Sequence, residues 1–262
     1  MKIEFYKYEG TGNDFIIIDN RDKKLKINNH ALWKKLCDRH FGVGADGLML
    51  IQKKKGYDFE MVYFNADGNE STMCGNGGRC IAHLANQLGI LKEDRATFAA
   101  IDGKHEAILL EDNNVKLKMN DVKNIADHTS YYILNTGSPH YVTIVKNAIK
   151  MPVNIDGRTI RNRDPFKKDG INVNFVQVTP NIIPLLRTYE RGVEDETLSC
   201  GTGTVATALV LASKGLSTAK THCEIQTLGG MLKVWYTQHK GSFKNIWLEG
   251  PATFIFKGSY TI

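Results

Sequence analysis

The chain has 262 residues, of which 42% are hydrophobic and 24% charged, and a formal net charge of +6. That length accommodates two globular domains of about 100–150 residues, and no apolar stretch approaches the roughly 20 residues of a membrane-spanning helix. The lysines are scattered rather than gathered in a stripe interleaved with aromatics, and five cysteines make an odd count, so neither nucleic-acid binding nor a disulfide framework is expected.

In chain order, the first residues carry an acid early and alternate like a strand rather than a signal peptide, so a cytoplasmic protein is the expectation. Apolar runs at 15–18 and 48–51 and the alternation of Phe59, Met61 and Tyr63 have the period of strands; lysine clusters at 23–26 and 53–55 read as turns. Residues 78–88 change the rhythm. Cys80, Ile81, Leu84, Ala85 and Leu88 recur at helical spacing, and Gly89 supplies a stop. A hairpin is expected around Asp102-Gly103, then a strand through Val115, Leu117 and Met119. The polar stretch 120–128 reads as a boundary. Six prolines, all in the second half from Pro139 to Pro251, mark loops and strand starts. Residues 205–212 are apolar on nearly every side, which predicts a helix enclosed by other structure, and a second hairpin is expected around Gly229-Gly230.

Two words stand out. Met73-Cys74-Gly75-Asn76-Gly77 and Ser199-Cys200-Gly201-Thr202-Gly203 each follow a strand-like run and open a helix-like one. The shift of 126 from Cys74 to Cys200 also carries Asn65 onto Arg191 and Ser71 onto Thr197. A shift of 125 carries Thr11-Gly12-Asn13 onto Thr136-Gly137-Ser138, and Gly47 onto Asn172. These recurrences predict an internal duplication. The fold class is α/β (α+β): two pseudo-symmetric domains, each a strand-rich wrap around a central helix, with the active site in the interdomain cleft.

A cysteine at a helix start feels the positive end of the helix dipole and nearby N–H donors, and both favour the thiolate. Glycines beside it let a ligand approach the backbone, a setting suited to a carboxylate or phosphate. Two opposed thiols, one ionised and one protonated, invert a stereocentre by removing a proton from one face and returning one on the other. Helix N–H groups aimed at the substrate carboxylate then stabilise the carbanion.

The residues resemble those of the diaminopimelate epimerase family over essentially the whole chain. The resemblance is carried by Gly12-Asn13-Asp14-Phe15, Gly42-Val43-Gly44-Ala45-Asp46-Gly47, Asn65-Ala66-Asp67-Gly68, Met73 through Cys80, Ser138-Pro139-His140, Asn172, Glu190-Arg191-Gly192, Cys200-Gly201-Thr202-Gly203 and Gly250-Pro251-Ala252. It implies an isomerase that uses no pyridoxal phosphate, no other cofactor and no metal. Such an enzyme interconverts LL- and meso-2,6-diaminopimelate in lysine and peptidoglycan precursor synthesis. It also implies that Cys74 and Cys200 exchange base and acid roles. Gly75, Asn76, Gly201 and Thr202 hold the reacting carboxylate; Asn13, Asn65, Asn172, Glu190 and Arg191 contact the substrate, Arg191 gripping a carboxylate; His140 and Glu190 tune the cysteines. The terminal stretch returns to the first half, giving domains of 1–125 plus 251–262, and 126–250.

The chain departs from the family at three points. Ser138 replaces the usual Asn, so a substrate contact there is shorter or bridged by water. Gly47 replaces a polar residue and is left out of the site. Arg191 precedes Cys200 by nine residues, one more than the commoner spacing. Cys37, Cys80 and Cys223 are expected in the core, and a zinc site from Cys74, Cys80 and His83 lacks the paired ligand spacing. The substrate is the one expected partner, without nucleic acid or membrane. The sequence leaves the oligomeric state open, a homodimer being one expectation. Three other readings remain: a proline-racemase-like enzyme, a dithiol redox protein and a nucleotide-binding module, the last poorly matched by either glycine word.

Overall fold

The alternating runs of the first half fold as strands. The computed structural model describes residues 1–262. β1 (Lys2–Gly10) and β2 (Asn13–Asp19) form an antiparallel hairpin whose turn residues, Thr11 and Gly12, are left-handed at φ 52° and 83°. After α1 (His30–Cys37), β3 (Gly47–Gln52) runs parallel to β2, and β4 (Phe59–Asn65) returns antiparallel. The short β5 (Glu70–Ser71) pairs with β4, and α2 (Gly75–Gln87) follows. β6 (Arg95–Ala100) is parallel to β4, and β7 (Gly103–Leu109) and β8 (Asn114–Lys118) follow as antiparallel neighbours.

The second half repeats this order. β9 (Ala126–Asp127) and β10 (Tyr132–Asn135) precede β11 (Pro139–Val145), α3 (Val153–Arg161) and β12 (Asn172–Thr179), which is parallel to β11. β13 (Ile182–Glu190), β14 (Asp195–Thr197), α4 (Gly201–Ser213), β15 (His222–Thr227), β16 (Gly230–His239) and β17 (Ser242–Pro251) pair among themselves as β4 to β8 do. The last strand, β18 (Thr253–Thr261), pairs antiparallel with β1, as β9 does with β10. Both expected hairpins, around Asp102-Gly103 and Gly229-Gly230, are present.

By contacts the chain falls into two units, Met1–Leu117 with Gly250–Ile262, and Lys118–Glu249. Residues 118–125, expected with the first half, group with the second. Met119 N–H donates to Ile246 O, and Val122 exchanges backbone bonds with Phe243. No helix is long and apolar enough to cross a membrane.

Each unit is built around one 13-residue helix. Residues 75–85 of α2 and 203–211 of α4 are buried, each against strands of its own unit. α4 is apolar on nearly every side, with Thr204 and Thr207 buried among the aliphatics, as suits an enclosed helix. Burying each of its large aliphatic side chains contributes about 1.5–3 kcal/mol. Cys37, Cys80 and Cys223 are core residues at 3% exposure or less.

Two further helices, α1 and α3, were not expected from the periodicity. A parallel strand pair cannot be closed by a tight turn and requires a crossover, and these two supply it between β2 and β3 and between β11 and β12. α1 buries Trp33, Leu36 and Cys37, with Trp33 stacked on Phe64 at 5.4 Å, whereas α3 buries only Val153 and Gly157.

Register sharpens the duplication. Phe15 pairs with Gly47 as His140 pairs with Asn172, each 125 residues on. Gly47 faces Asn65, and Val173 faces Tyr189, which sets Glu190 beside Asn172. The counterpart of Asn65 is therefore Glu190, not Arg191 as the shift of 126 implied. The extra residue lies in the turn: Asn65 N–H bonds Asn69 O across three residues, whereas Glu190 pairs with Asp195 across four. Gly192 and Glu194 absorb it with φ 91° and 60°.

Candidate active site

Cys74 is the N-cap of α2 (φ −93°, ψ 134°), and its carbonyl accepts the first helical bond, 2.7 Å from Gly78 N. First-turn N–H groups have no acceptor inside a helix and carry the positive end of its dipole. Gly75 and Asn76 occupy that turn, both buried. The Cys74 thiol, half-buried, lies 3.7 Å from Asn13 Oδ1. Asn13 is oriented from behind: its Nδ2 donates to Asp46 Oδ2 at 2.6 Å, and Asp46 is held by Arg39 at 2.7 Å. Arg39 and Lys7 also bind Asp14; against the upward pull of burial, their hydrogen bonds hold that carboxyl down at about 2. Asn65 ends β4 with its side chain exposed. The floor under α2 is apolar: a Cβ on Gly77 would stand 3.2 Å from Met49 Sδ and 3.5 Å from Phe15 Cε1.

Cys200 repeats the N-cap role on α4 (φ −112°, ψ 112°), with Thr204 N 2.9 Å from its carbonyl. Its Sγ lies 3.6 Å from Thr202 Oγ1. Here the floor is polar. A Cβ on Gly203 would fall 2.4 Å from Asn174 Oδ1 and 3.3 Å from Cys200 Sγ, so only glycine fits. Asn174 Nδ2 donates to His140 Nδ1 at 3.1 Å, and Thr188 donates to Asn174 Oδ1 at 3.0 Å. His140 Nδ1 being the acceptor, Nε2 carries the proton, and this fully buried atom has no protein partner. Burial, with Arg191 nearby, pushes His140 down to about 3, so the imidazole is neutral. Burial raises the Glu190 carboxyl, and hydrogen bonds from Thr197 (3.0 Å) and Cys200 partly offset the rise.

Ser138, Asn172 and Arg191 form one bracket in this unit. Asn172 Nδ2 donates to Ser138 Oγ (2.9 Å) and Pro139 O (3.1 Å), while its Oδ1 accepts Arg191 N–H (2.9 Å). Arg191 Nη1 and Nη2 donate to Asp169 O (3.0 Å) and Ser138 Oγ (3.2 Å). Ser138 thus braces Arg191, and the longer turn leaves that arginine anchored. Gly47 is glycine for a steric reason: a Cβ would meet the Tyr63 ring at 2.6 Å. His83 has both ring nitrogens engaged, by Tyr8 OH and Asn113 Oδ1 at 3.1 Å each.

The first unit brings together Asn13, Gly75, Asn76 and Cys74. The second brings together Ser138, Asn172 and Arg191, and places Glu190, Gly201 and Thr202 around Cys200, with His140 behind them, bonded to Asn174. Sequence reasoning missed Asp46 as the holder of Asn13, and Asn174 and Thr188 as the holders of His140. Asn174 had a signal: it lies two residues after Asn172, on the same face of β12. It also missed Thr11 and Thr136, which tie each β-turn to the neighbouring helix start through Asn76 Oδ1 (3.4 Å) and Thr202 O (2.9 Å).

Two repeated α/β units, each opening its central helix at a cysteine, define a two-domain fold with known relatives. The chain superposes with a TM-score of 0.76 on a PhzF-family phenazine biosynthesis protein from Bacillus anthracis, 15% identical, each chain being covered in full. That likeness speaks for the fold alone. The sequence model of the family described as diaminopimelate epimerase matches residues 5–125 and 132–255. The diaminopimelate epimerase of Flavobacterium psychrophilum is 49% identical over 255 residues, 97% of this chain and 99% of that one. That of a Hydrogenobaculum species is 40% identical over 278 residues, 98% of each. The chain belongs to the diaminopimelate epimerase family.

Proposed function

We propose that this protein interconverts LL- and meso-2,6-diaminopimelate as an isomerase independent of pyridoxal phosphate, by a two-base mechanism. The observation that carries the reading is the pair of cysteines at equivalent N-caps of the two buried helices. Cys74 and Cys200 act on opposite faces of the substrate α-carbon. The thiolate of one cysteine takes the α-proton: the C–H bond breaks, an S–H bond forms, and the electron pair stays on carbon. The thiol of the other gives its proton to the opposite face, leaving that sulfur as thiolate and the centre inverted. The first-turn N–H groups of α2 and α4 hold the reacting carboxylate and stabilise the charge that develops beside it. Asn13, Asn65, Asn172 and Arg191 hold the distal amino-acid end, Arg191 through two parallel hydrogen bonds. Ser138 acts through Arg191 rather than on the substrate. The step belongs to lysine and peptidoglycan precursor synthesis in the cytoplasm, and a homodimer is the expected assembly.

Turnover of LL-diaminopimelate in D2O tests the reading. Early product should carry deuterium at the inverted centre while recovered substrate carries none. Deuterium in recovered substrate at the same rate refutes the two-base assignment; turnover of proline in place of diaminopimelate refutes the substrate.

A further inference from the structure

Arg79 is the most deeply buried cation of the chain, with its side chain fully enclosed. Its guanidinium donates only to neutral acceptors: Pro251 O (3.2 Å), Gly75 O (3.3 Å) and Thr11 Oγ1 (3.2 Å). Enclosed arginines ordinarily meet a carboxylate, because an uncompensated charge is costly to remove from water. The ionisable groups facing this one are Cys80, Cys74 and Glu9. Cys80 is fully buried, and burial keeps it a neutral thiol. Glu9 is already engaged, accepting Gly12 N–H at 2.9 Å.

Side chains on a helix lean toward its N-terminus, so a guanidinium rooted at Arg79 runs back along the first turn. Its bond to Gly75 O fixes it there, under the residue that follows Cys74. The other half lacks this device. Five residues after Cys200 stands Val205, buried and uncharged, and Cys200 shares a hydrogen bond with the Glu190 carboxylate. Near Cys74, Asp102 accepts Met73 N–H at 3.3 Å and opposes ionisation of the thiol, while Asp46 behind Asn13 is balanced by Arg39. Arg79 and the helix dipole favour it.

We propose that Arg79 is a positioning residue for Cys74: its buried charge holds Cys74 as the thiolate, so the resting protein carries one thiolate, at Cys74, and one thiol, at Cys200. The purpose of this arrangement rests on the epimerase reading, though its test does not. The resting protein accepts first the isomer whose α-proton faces Cys74. One turnover leaves the proton on Cys74 and the charge on Cys200.

The test is the pH dependence of iodoacetamide alkylation on the full-length protein, with each cysteine followed by mass spectrometry. In the unmodified sequence the midpoint for Cys74 should lie at least about one pH unit below that for Cys200. In Arg79→Met, alkylation of Cys74 at pH 7 should fall about tenfold with the Cys200 curve unmoved, and Arg79→Lys should retain most of the rate. A merely structural arginine would leave both curves in place. Cys200 ionising first or together with Cys74, or an unchanged Cys74 curve in folded Arg79→Met, overturns the proposal. Should Arg79→Met not fold, the native comparison and Arg79→Lys decide, and a tenfold loss in folded Arg79→Lys counts against it. The assay uses no diaminopimelate, so failed deuterium exchange with these curves intact would sink the epimerase reading and leave this one standing.

Discussion

Acidification should destabilise the second unit through His140, by an amount the structure sets. An unfolded histidine titrates near 6.5, while burial holds His140 at about 3 in the fold. Below pH 6.5 the unfolded chain binds a proton that the folded chain refuses, so stability is full above that pH and is lost as pH falls toward 3. The loss approaches about 1.4 kcal/mol per pH unit, or about 2 kcal/mol between pH 7.5 and 5.0. Urea denaturation of the native protein and His140→Gln at both pH values measures it. Other carboxylates titrate in both proteins and cancel in the difference. The native protein should lose about 2 kcal/mol more than the variant over that interval. Equal losses would refute the assignment of a neutral, enclosed imidazole.

Cys74→Ala and Cys200→Ala should each lower LL/meso turnover by roughly 10²–10⁴-fold, with circular dichroism unchanged; near-native turnover in either would end the two-base assignment. Arg191→Lys gives up the fork that reaches both Asp169 O and Ser138 Oγ. It should raise KM about tenfold with a smaller change in kcat, and an unchanged KM would remove Arg191 from substrate binding. Gly203→Ala drives a methyl into Asn174 Oδ1 and should cost about 1–3 kcal/mol of stability by thermal denaturation. Gly56→Ala, where a Cβ meets nothing, tests strain at φ 85° without a clash and should cost less.

Much of this was legible because the informative residues sit where local rules are strongest. Glycines after Cys74 and Cys200, followed by helical spacing, mark helix starts without reference to tertiary structure. Period-two runs give the strands and Asp-Gly or Gly-Gly their turns. α1 and α3 were not legible: each is short, α3 buries only Val153 and Gly157, and their existence follows from the parallel pairing they bridge. Pairing across the sheet also decides that Asn65 corresponds to Glu190, since linear shifts cannot say on which side of a turn an extra residue falls. The partners of His140 and Asn13 escaped for the same reason. Asn174 and Asp46 are ordinary strand and loop residues until the fold sets them beside their partners, Asn174 donating to His140 and Asp46 accepting from Asn13.

The duplicated frame explains why two such different electrostatic environments surround the same thiol. Equivalent positions hold Phe15 and His140, Met49 and Asn174, Asn65 and Glu190, and, five residues into each helix, Arg79 and Val205. At every pair the backbone is held alike while the side chain changes class: apolar against polar twice, an amide against a carboxylate, a cation against an aliphatic. Identical halves would give both cysteines the same affinity for a proton, and a two-base reaction needs one empty and one loaded at the start. Cross-strand register preserves geometry under substitution, because strand spacing and helix start are fixed by backbone bonds. Charge is therefore free to diverge. On this argument, exchanging Arg79 and Val205 between the halves should leave both helices in place and reverse which cysteine alkylates first. Unaltered order in the folded double variant would mean that the asymmetry resides in Glu190 and His140 alone.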